Sequence, residues 1–218
     1  MRKKKKGFLI FDIESSGLYK NKYVAYNKNQ AWIVQIAGII TNSKLRVLKT
    51  FSHIVKPPFK GAKIEDGAFD AHGISLERCV KKGVPQGVLH GVLKPVWDGE
   101  VYLVAHNINF DAKFLHRFPK TKEERSNLID AHHNGICTMK SSVEYCKLPP
   151  TDAMVKARKD GQKKWKNWNP SKYKQPTLSE LHMKLFRKSF VGAHDAMNDA
   201  DATFRSLKKL KRLGVIKL

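Results

Sequence analysis

The sequence predicts an α/β or α+β fold built around one mixed sheet. Apolar, strand-like runs come early, and helix-like segments interleave with a further strand later. Length adds to this: 218 residues favour one domain with a sizeable core, and no internal repeat or domain-scale linker divides them.

Phe8-Leu9-Ile10-Phe11, followed by Ile13, reads as a central strand buried on both faces. Lys20 to Gln30 is polar and reads as a loop. Trp32 to Ile40 forms a second strand, and Val47 to Val55 a third, closed by Pro57-Pro58. Ser75 caps a helix with Glu77 in its first turn, and Gly83-Val84-Pro85 ends it. Gly87 to Trp97 is expected to form a further helix despite its glycines. Val101 to Ala105 is a short strand, and the helix after it carries Phe110, Phe114 and Leu115. Residues 136 to 146 are expected to be helical. Thr177-Leu178-Ser179-Glu180 has the form of a capping box, with Leu178, Leu181 and Leu185 at helical spacing behind it. A last helix, from about Met197 to Leu213, turns Ala200, Phe204, Leu207 and Leu210 inward and a Lys/Arg face outward.

With 41% hydrophobic and 28% charged residues, the composition is that of a soluble globular chain. No apolar run approaches the roughly 20 residues of a membrane span. Forty-two Lys and Arg against 19 acids give a net charge of +23. Such an excess attracts polyanions, nucleic acid foremost. Because the basic residues are spread along the chain, they do not form the amphipathic helix of a membrane-surface protein. Three cysteines, Cys79, Cys137 and Cys146, suggest no disulfide framework and fit a reducing, cytoplasmic compartment. Residues 1–6 read as a basic tail. The apolar run that follows them is too short for a signal peptide and ends at Asp12.

Residues 151–175 differ in composition, combining many lysines with Trp165, Trp168 and Tyr173, and are expected to be a loop or insertion. Two readings stand. Trp165 and Trp168 pack on the domain, or they stack on bases while Lys163, Lys164 and Lys166 hold phosphates.

Three segments carry chemistry. In the first, Phe11 to Leu18, Asp12 and Glu14 are two apart and share a strand face, and Gly17 lets the chain turn. Two carboxylates this close repel unless a cation lies between them. In the second, Ala105 to Asp111, Asn107 and Asp111 share a helix face. In the third, Gly192 to Asp199, His194 and Asp199 would not share a helix face, so His194 is expected on a loop before the helix. Taken singly, each reads more readily as a strand end, a capped helix start or a surface histidine. His132, His133, Cys137 and Cys146 lack a Cys-x-x-Cys knuckle, which argues against zinc.

Together and in this order, the three segments resemble the DEDD superfamily of 3′-to-5′ exonucleases. His194-x-x-x-x-Asp199 matches its DEDDh, DnaQ-like branch. Ala71-His72-Gly73-Ile74 and the run from Leu178 through Phe186 to Ala196 extend the likeness, the latter toward homologues of the proofreading subunit of bacterial DNA polymerase III. The resemblance covers most of residues 7–212. It implies a ribonuclease-H-like fold, a five-stranded mixed sheet flanked by helices, in a single exonuclease domain at 7–218. It also implies that Asp12, Glu14, Asp111 and Asp199 hold two Mg²⁺ or Mn²⁺ ions while His194 accepts the proton of the attacking water. Ser15, Ser16, Gly17 and Leu18 would hold the terminal nucleotide, with Leu18 wedged against its base. His106, Asn107 and Phe110 would shape the pocket. Two departures stand out: Ser15 and Ser16 where many relatives have Thr, and Asn198 where an acid is frequent.

The expected function is release of nucleoside 5′-monophosphates from the 3′ end of single-stranded DNA. An exoribonuclease acting on short RNAs or RNA tails, and a non-catalytic nucleic-acid-binding accessory, are the alternatives. A role in DNA replication as a proofreader would require a DNA polymerase partner, since the chain has no room for a polymerase of its own.

Overall fold

The computed structural model describes residues 7–20, 27–160 and 173–218. Five strands, β1 (Gly7–Ser15), β2 (Ile33–Asn42), β3 (Val47–Ile54), β4 (Val101–Ala105) and β5 (Ile136–Cys137), form one sheet in the order β3-β2-β1-β4-β5. The first three pair antiparallel, while β4 lies parallel to β1 and β5 parallel to β4. The sheet is therefore mixed, with β1 at its centre.

Between β3 and β4 lie the short helices α1 (Asp66–His72), α2 (Leu76–Lys82), α3 (Gln86–Val92) and α4 (Lys94–Trp97). Next come α5 (Ile108–Leu115) and α6 (Lys122–His133), and after β5 the turns of helix α7 (Thr138–Ser141) and α8 (Val143–Cys146). The described chain continues with α9 (Asp152–Lys159), α10 (Leu178–Phe186) and α11 (Ala196–Arg212). Among the described residues, no helix is long and apolar enough to cross a membrane.

The period-two alternation of β1 divides the core. Leu9, Phe11 and Ile13 face one layer, where they pack with Leu89, Trp97, Phe114 and Leu128 of α3 to α6. Phe8 and Ile10 face the other, where they meet Leu181 and Leu185 of α10 and Phe204, Leu207 and Leu210 of α11. Asp12 and Glu14 share the parity of Phe8 and Ile10. The face that is apolar at the start of β1 thus becomes acidic at its end, beneath the N-terminus of α11. Gly38 of β2 lets this sheet pack closely, because a Cβ there would lie 2.6 Å from the Phe51 ring.

Three sequence expectations change. The helix expected at Gly87–Trp97 is two short helices joined at Leu93, because Pro95 has no N–H to continue the ladder. The helix expected at 136–146 gives its first two residues to β5, where Ile136 and Cys137 pair with Val104 and Ala105. Its remainder breaks at Ser142, whose hydroxyl bonds back to the Thr138 carbonyl at 2.7 Å. The 151–175 stretch begins with α9 rather than as a loop. Trp165, Trp168, Lys163, Lys164 and Lys166 lie outside the described residues, as does the tail 1–6.

Candidate active site

The site lies where β1 ends, α5 begins and α11 begins. β1 brings Asp12 and Glu14, and a bulge directly after Glu14 ends its regular pairing with β2. α5 brings Asp111 from its first turn, 3% exposed. α11 brings Asp199, 8% exposed and also in a first turn. Ligand atoms of Glu14, His194 and Asp199 all lie within 4.8 Å of one another. Among the described residues this is the single group of three or more His, Cys, Asp or Glu side chains so arranged. His132, His133, Cys137 and Cys146 form no such group.

Burial and mutual repulsion set the electrostatics. Desolvation pushes the Asp12 carboxyl well above its usual range, and Asp111, Asp199, Glu14 and Asp195 push it further. Glu14 rises to about 7, through burial and then through Asp199 and Asp195. Burial also raises Asp111, although the backbone amides of Asp111 and Ile13 hold it down in part. Asp199 is raised by burial and partly relieved by the His194 backbone N–H, which donates to its Oδ2 at 3.0 Å. The other oxygen, Oδ1, is buried without a hydrogen-bond partner among the described residues. Four acids held apart from water and an unpartnered carboxylate oxygen form a donor set that suits a hard divalent cation.

His194 precedes α11 on a turn and is exposed. Its φ of 68° is left-handed, a costly conformation for a residue with a Cβ. Three hydrogen bonds maintain the turn: the one to Asp199, one from the Asn198 Nδ2 to the Gly192 carbonyl at 3.1 Å, and one from the Asp195 backbone N–H to the same carbonyl at 3.3 Å. Asn198 is the position at which an acid is frequent in the resembled family. Here its amide serves as a donor, which a carboxylate could not.

Two residues not anticipated from sequence hold α11 in place. Asp195 is its N-cap, with Oδ1 accepting from the Met197 and Asn198 backbone N–H groups. Gln35 of β2, the register partner of Glu14, donates to Asp195 Oδ2 at 3.0 Å and accepts from the Ala196 N–H at 3.2 Å. The available signal was a single amide side chain inside the apolar run Trp32 to Ile40.

Beside Glu14 opens a cavity of about 450 Å³, lined in part by Ser15, Gly17, Leu18, Ala68, His72 and Phe110. Leu18 stands 72% exposed at its edge. The Ser15 hydroxyl donates to the Gly17 carbonyl and so braces the turn. His72 Nδ1 accepts from the Ile74 N–H, which leaves Nε2 to donate to the Ser15 carbonyl at 3.3 Å. Ser16 points elsewhere: it is buried, accepts from the Trp32 N–H and lines a different cavity. Asn107 occupies the N-cap position of α5 in a left-handed conformation, without a side-chain capping bond. His106 hydrogen-bonds through both ring nitrogens, to Thr138 Oγ1 and to the Pro176 carbonyl, and burial lowers its pKa to about 4. It ties the approach to α10 onto the end of β4.

The sequence matches the family described as Exonuclease (RNase_T) over residues 9–207. No curated protein matches it. The structure is similar to solved structures of exonuclease I. A zinc-bound complex of E. coli exonuclease I with single-stranded DNA has a TM-score of 0.62 at 16% identity, covering 96% of this chain and 41% of that one. A complex of the E. coli enzyme with a dA16 oligonucleotide has a TM-score of 0.63 at 18% identity, covering 95% and 41%. A product-bound exonuclease I has a TM-score of 0.63 at 16% identity, covering 96% and 44%. This chain spans less than half the length of those proteins and shares their ribonuclease-H-like fold, a five-stranded mixed sheet flanked by helices.

Proposed function

This chain belongs to the exonuclease family, and on that premise we propose that it is a divalent-metal-dependent 3′-to-5′ exonuclease of the DEDDh type, releasing nucleoside 5′-monophosphates from single-stranded DNA. The observation that carries the reading is the meeting of Asp12, Glu14, Asp111 and Asp199, all with raised pKa values, with His194 beside Glu14 and Asp199. Binding a polyanion calls for Lys and Arg, and nothing in binding alone calls for buried clustered acids.

Asp12, Glu14, Asp111 and Asp199 would hold two cations, Mg²⁺ or Mn²⁺. Bound there, these supply positive charge to the scissile phosphate and acidify the attacking water. His194 takes the proton of that water; its exposure and its place on a turn leave the imidazole within reach of solvent. Leu18 and Phe110, with the small side chain of Ala68, receive the terminal base in the cavity beside Glu14. Ser15 and His72 hold the turn that sets the floor of this cavity. Residues 7–218 act in this reading as one exonuclease domain. The crystal complexes of exonuclease I with single-stranded DNA and oligonucleotides support DNA as substrate.

The test is a product ladder on 5′-labelled single-stranded DNA, duplex DNA and RNA, with and without Mg²⁺ or Mn²⁺. Mononucleotide release from single-stranded DNA is expected only with metal, and Asp12→Ala or Asp199→Ala abolishes it. His194→Ala retains metal binding by calorimetry and loses roughly 10² to 10⁴-fold in rate. Full activity of either Asp variant would falsify the mechanism, and faster removal of RNA ends than DNA ends would reassign the substrate.

A further inference from the structure

A second groove leads away from the turn that borders the nucleotide cavity. Ser15, Gly17 and Leu18 line that cavity, while the intervening Ser16 lines a neighbouring one of about 670 Å³, and Glu65 borders both. The neighbour shares Lys28, Gln30 and Phe59 with a further cavity of about 540 Å³, so the two form one continuous depression. Along it stand the exposed Lys28, Lys63 and Lys120, none of which has an ion-pair partner among the described residues. Glu65, which also lines the depression, is neutralised by Lys20 at 3.0 Å. At the far end the buried Nε2 of Gln86, a hydrogen-bond donor, has no partner among the described residues. Phe59, half-buried, lies where the two cavities join.

We propose that this groove holds the 5′-ward part of the same single DNA strand whose 3′ end occupies the carboxylate site. The inference rests on the exonuclease reading above and adds a binding path to it. Unpaired ammonium groups in a row suit successive phosphates, Gln86 suits a phosphate or base oxygen, and an aromatic edge at the junction suits a stacked base. The acidic site repels the same phosphates unless cations are present, so affinity for the body of the strand must come from elsewhere on the surface. This groove begins within that turn, at Ser16.

The experiment is equilibrium binding of a roughly 15-nucleotide labelled single-stranded DNA to the full chain, across a salt series and with chelator present so that nothing is cut. The variant Lys28→Ala/Lys63→Ala/Lys120→Ala is compared with Lys209→Ala/Lys211→Ala/Arg212→Ala, which removes equal charge from the outer end of α11. The groove variant is expected to lose about tenfold or more in affinity at low salt. Its dependence of log K on log salt should be shallower by about 2, near 0.7 for each phosphate that the lysines no longer neutralise. Phe59→Leu, which keeps an apolar side chain at its site, should weaken binding several-fold without changing the slope. Wild-type affinity and slope in the groove variant would overturn the proposal, as would an equal loss in the α11 variant, since diffuse charge would then explain the binding. Loss of strand binding in the groove variant of a protein that cuts nothing even with metal would uphold the groove and reject the exonuclease reading. A protein that cuts, with a groove variant that binds normally, would do the reverse.

Discussion

Gln35 stands among Ile33, Val34, Ile36 and Ala37 in a strand that is otherwise apolar and buried. A buried amide is tolerated only where its hydrogen bonds are made, and both ends of this one are engaged by the start of α11. Gln35→Leu keeps the volume and strands two groups, the Asp195 carboxylate oxygen and the Ala196 N–H. The expected cost is about 1–3 kcal/mol in stability, read as a lower denaturant midpoint. Turnover should fall about tenfold or more, because Asp199 rides on the helix that Gln35 positions. Unchanged turnover in a destabilised variant would mean that Gln35 only holds the fold. At this scale the acids were legible in the sequence, since Asp12 and Glu14 end an apolar strand where carboxylates have no packing role. Gln35 and Asp195 were not, because their function depends on residues about 160 positions apart meeting across the sheet. Ser16 was expected at the terminal nucleotide and His106 in the pocket wall, and their observed bonds to Trp32, Thr138 and Pro176 depend likewise on partners distant in sequence.

Elements were legible wherever periodicity and a cap agreed. Thr177 and Glu180 make the full reciprocal capping box of α10, and α11 buries Ala200, Phe204, Leu207 and Leu210 as its spacing requires. α6 escaped notice because its twelve residues bury only Leu128 and Ala131, too few to mark a face. Its signal was Thr121, whose side chain caps the helix by accepting from the Glu124 N–H. α11 differs from α10 in what it carries, and this leads to a paired prediction. Thr177→Ala and Asp195→Ala each remove an N-cap and should each cost about 1 kcal/mol in urea denaturation. Thr177→Ala should leave turnover per folded molecule near wild type, since α10 bears none of the proposed catalytic groups. Asp195→Ala should lower turnover severalfold, because the cap and the Gln35 contact together fix the direction in which Asp199 and the His194 turn leave the sheet. Equal turnover in the two variants would show that helix stability alone is at stake.

The whole molecule sets a buried acidic site inside a chain of net charge +23, and its stability should record that contrast. Without metal, Asp12, Glu14, Asp111 and Asp199 all bind protons more tightly in the folded chain than in the unfolded one. Where the native state holds more protons, stability falls as pH rises. For Glu14 the contribution is fully present below its ordinary value of 4.5 and is lost as pH rises through about 7. Histidines act in the opposite sense. His72, His106, His116 and His132 all have lowered pKa values, so their contribution is lost as pH falls from 6.5. The two effects overlap between about pH 6.5 and 8, where these four histidines still lose protons in the unfolded chain while Glu14 titrates, so the acids are isolated by comparing the wild type with Glu14→Gln across this window. In chelator, the wild type should lose about 1 kcal/mol of stability relative to Glu14→Gln across this window. Mg²⁺ or Mn²⁺ binds the ionised carboxylates and not the protonated ones, so the rise in melting temperature on adding metal should grow with pH over the same range. A melting-temperature difference between the wild type and Glu14→Gln that does not change with pH in chelator would mean that the carboxyl groups are not held together as described. A metal increment independent of pH would mean that the cations bind elsewhere. If the wild type falls relative to Glu14→Gln and the pH-dependent metal increment vanishes in that variant, the acidic pocket is the element of the fold that bound metal completes, and the surrounding positive charge is free to act on the strand outside it.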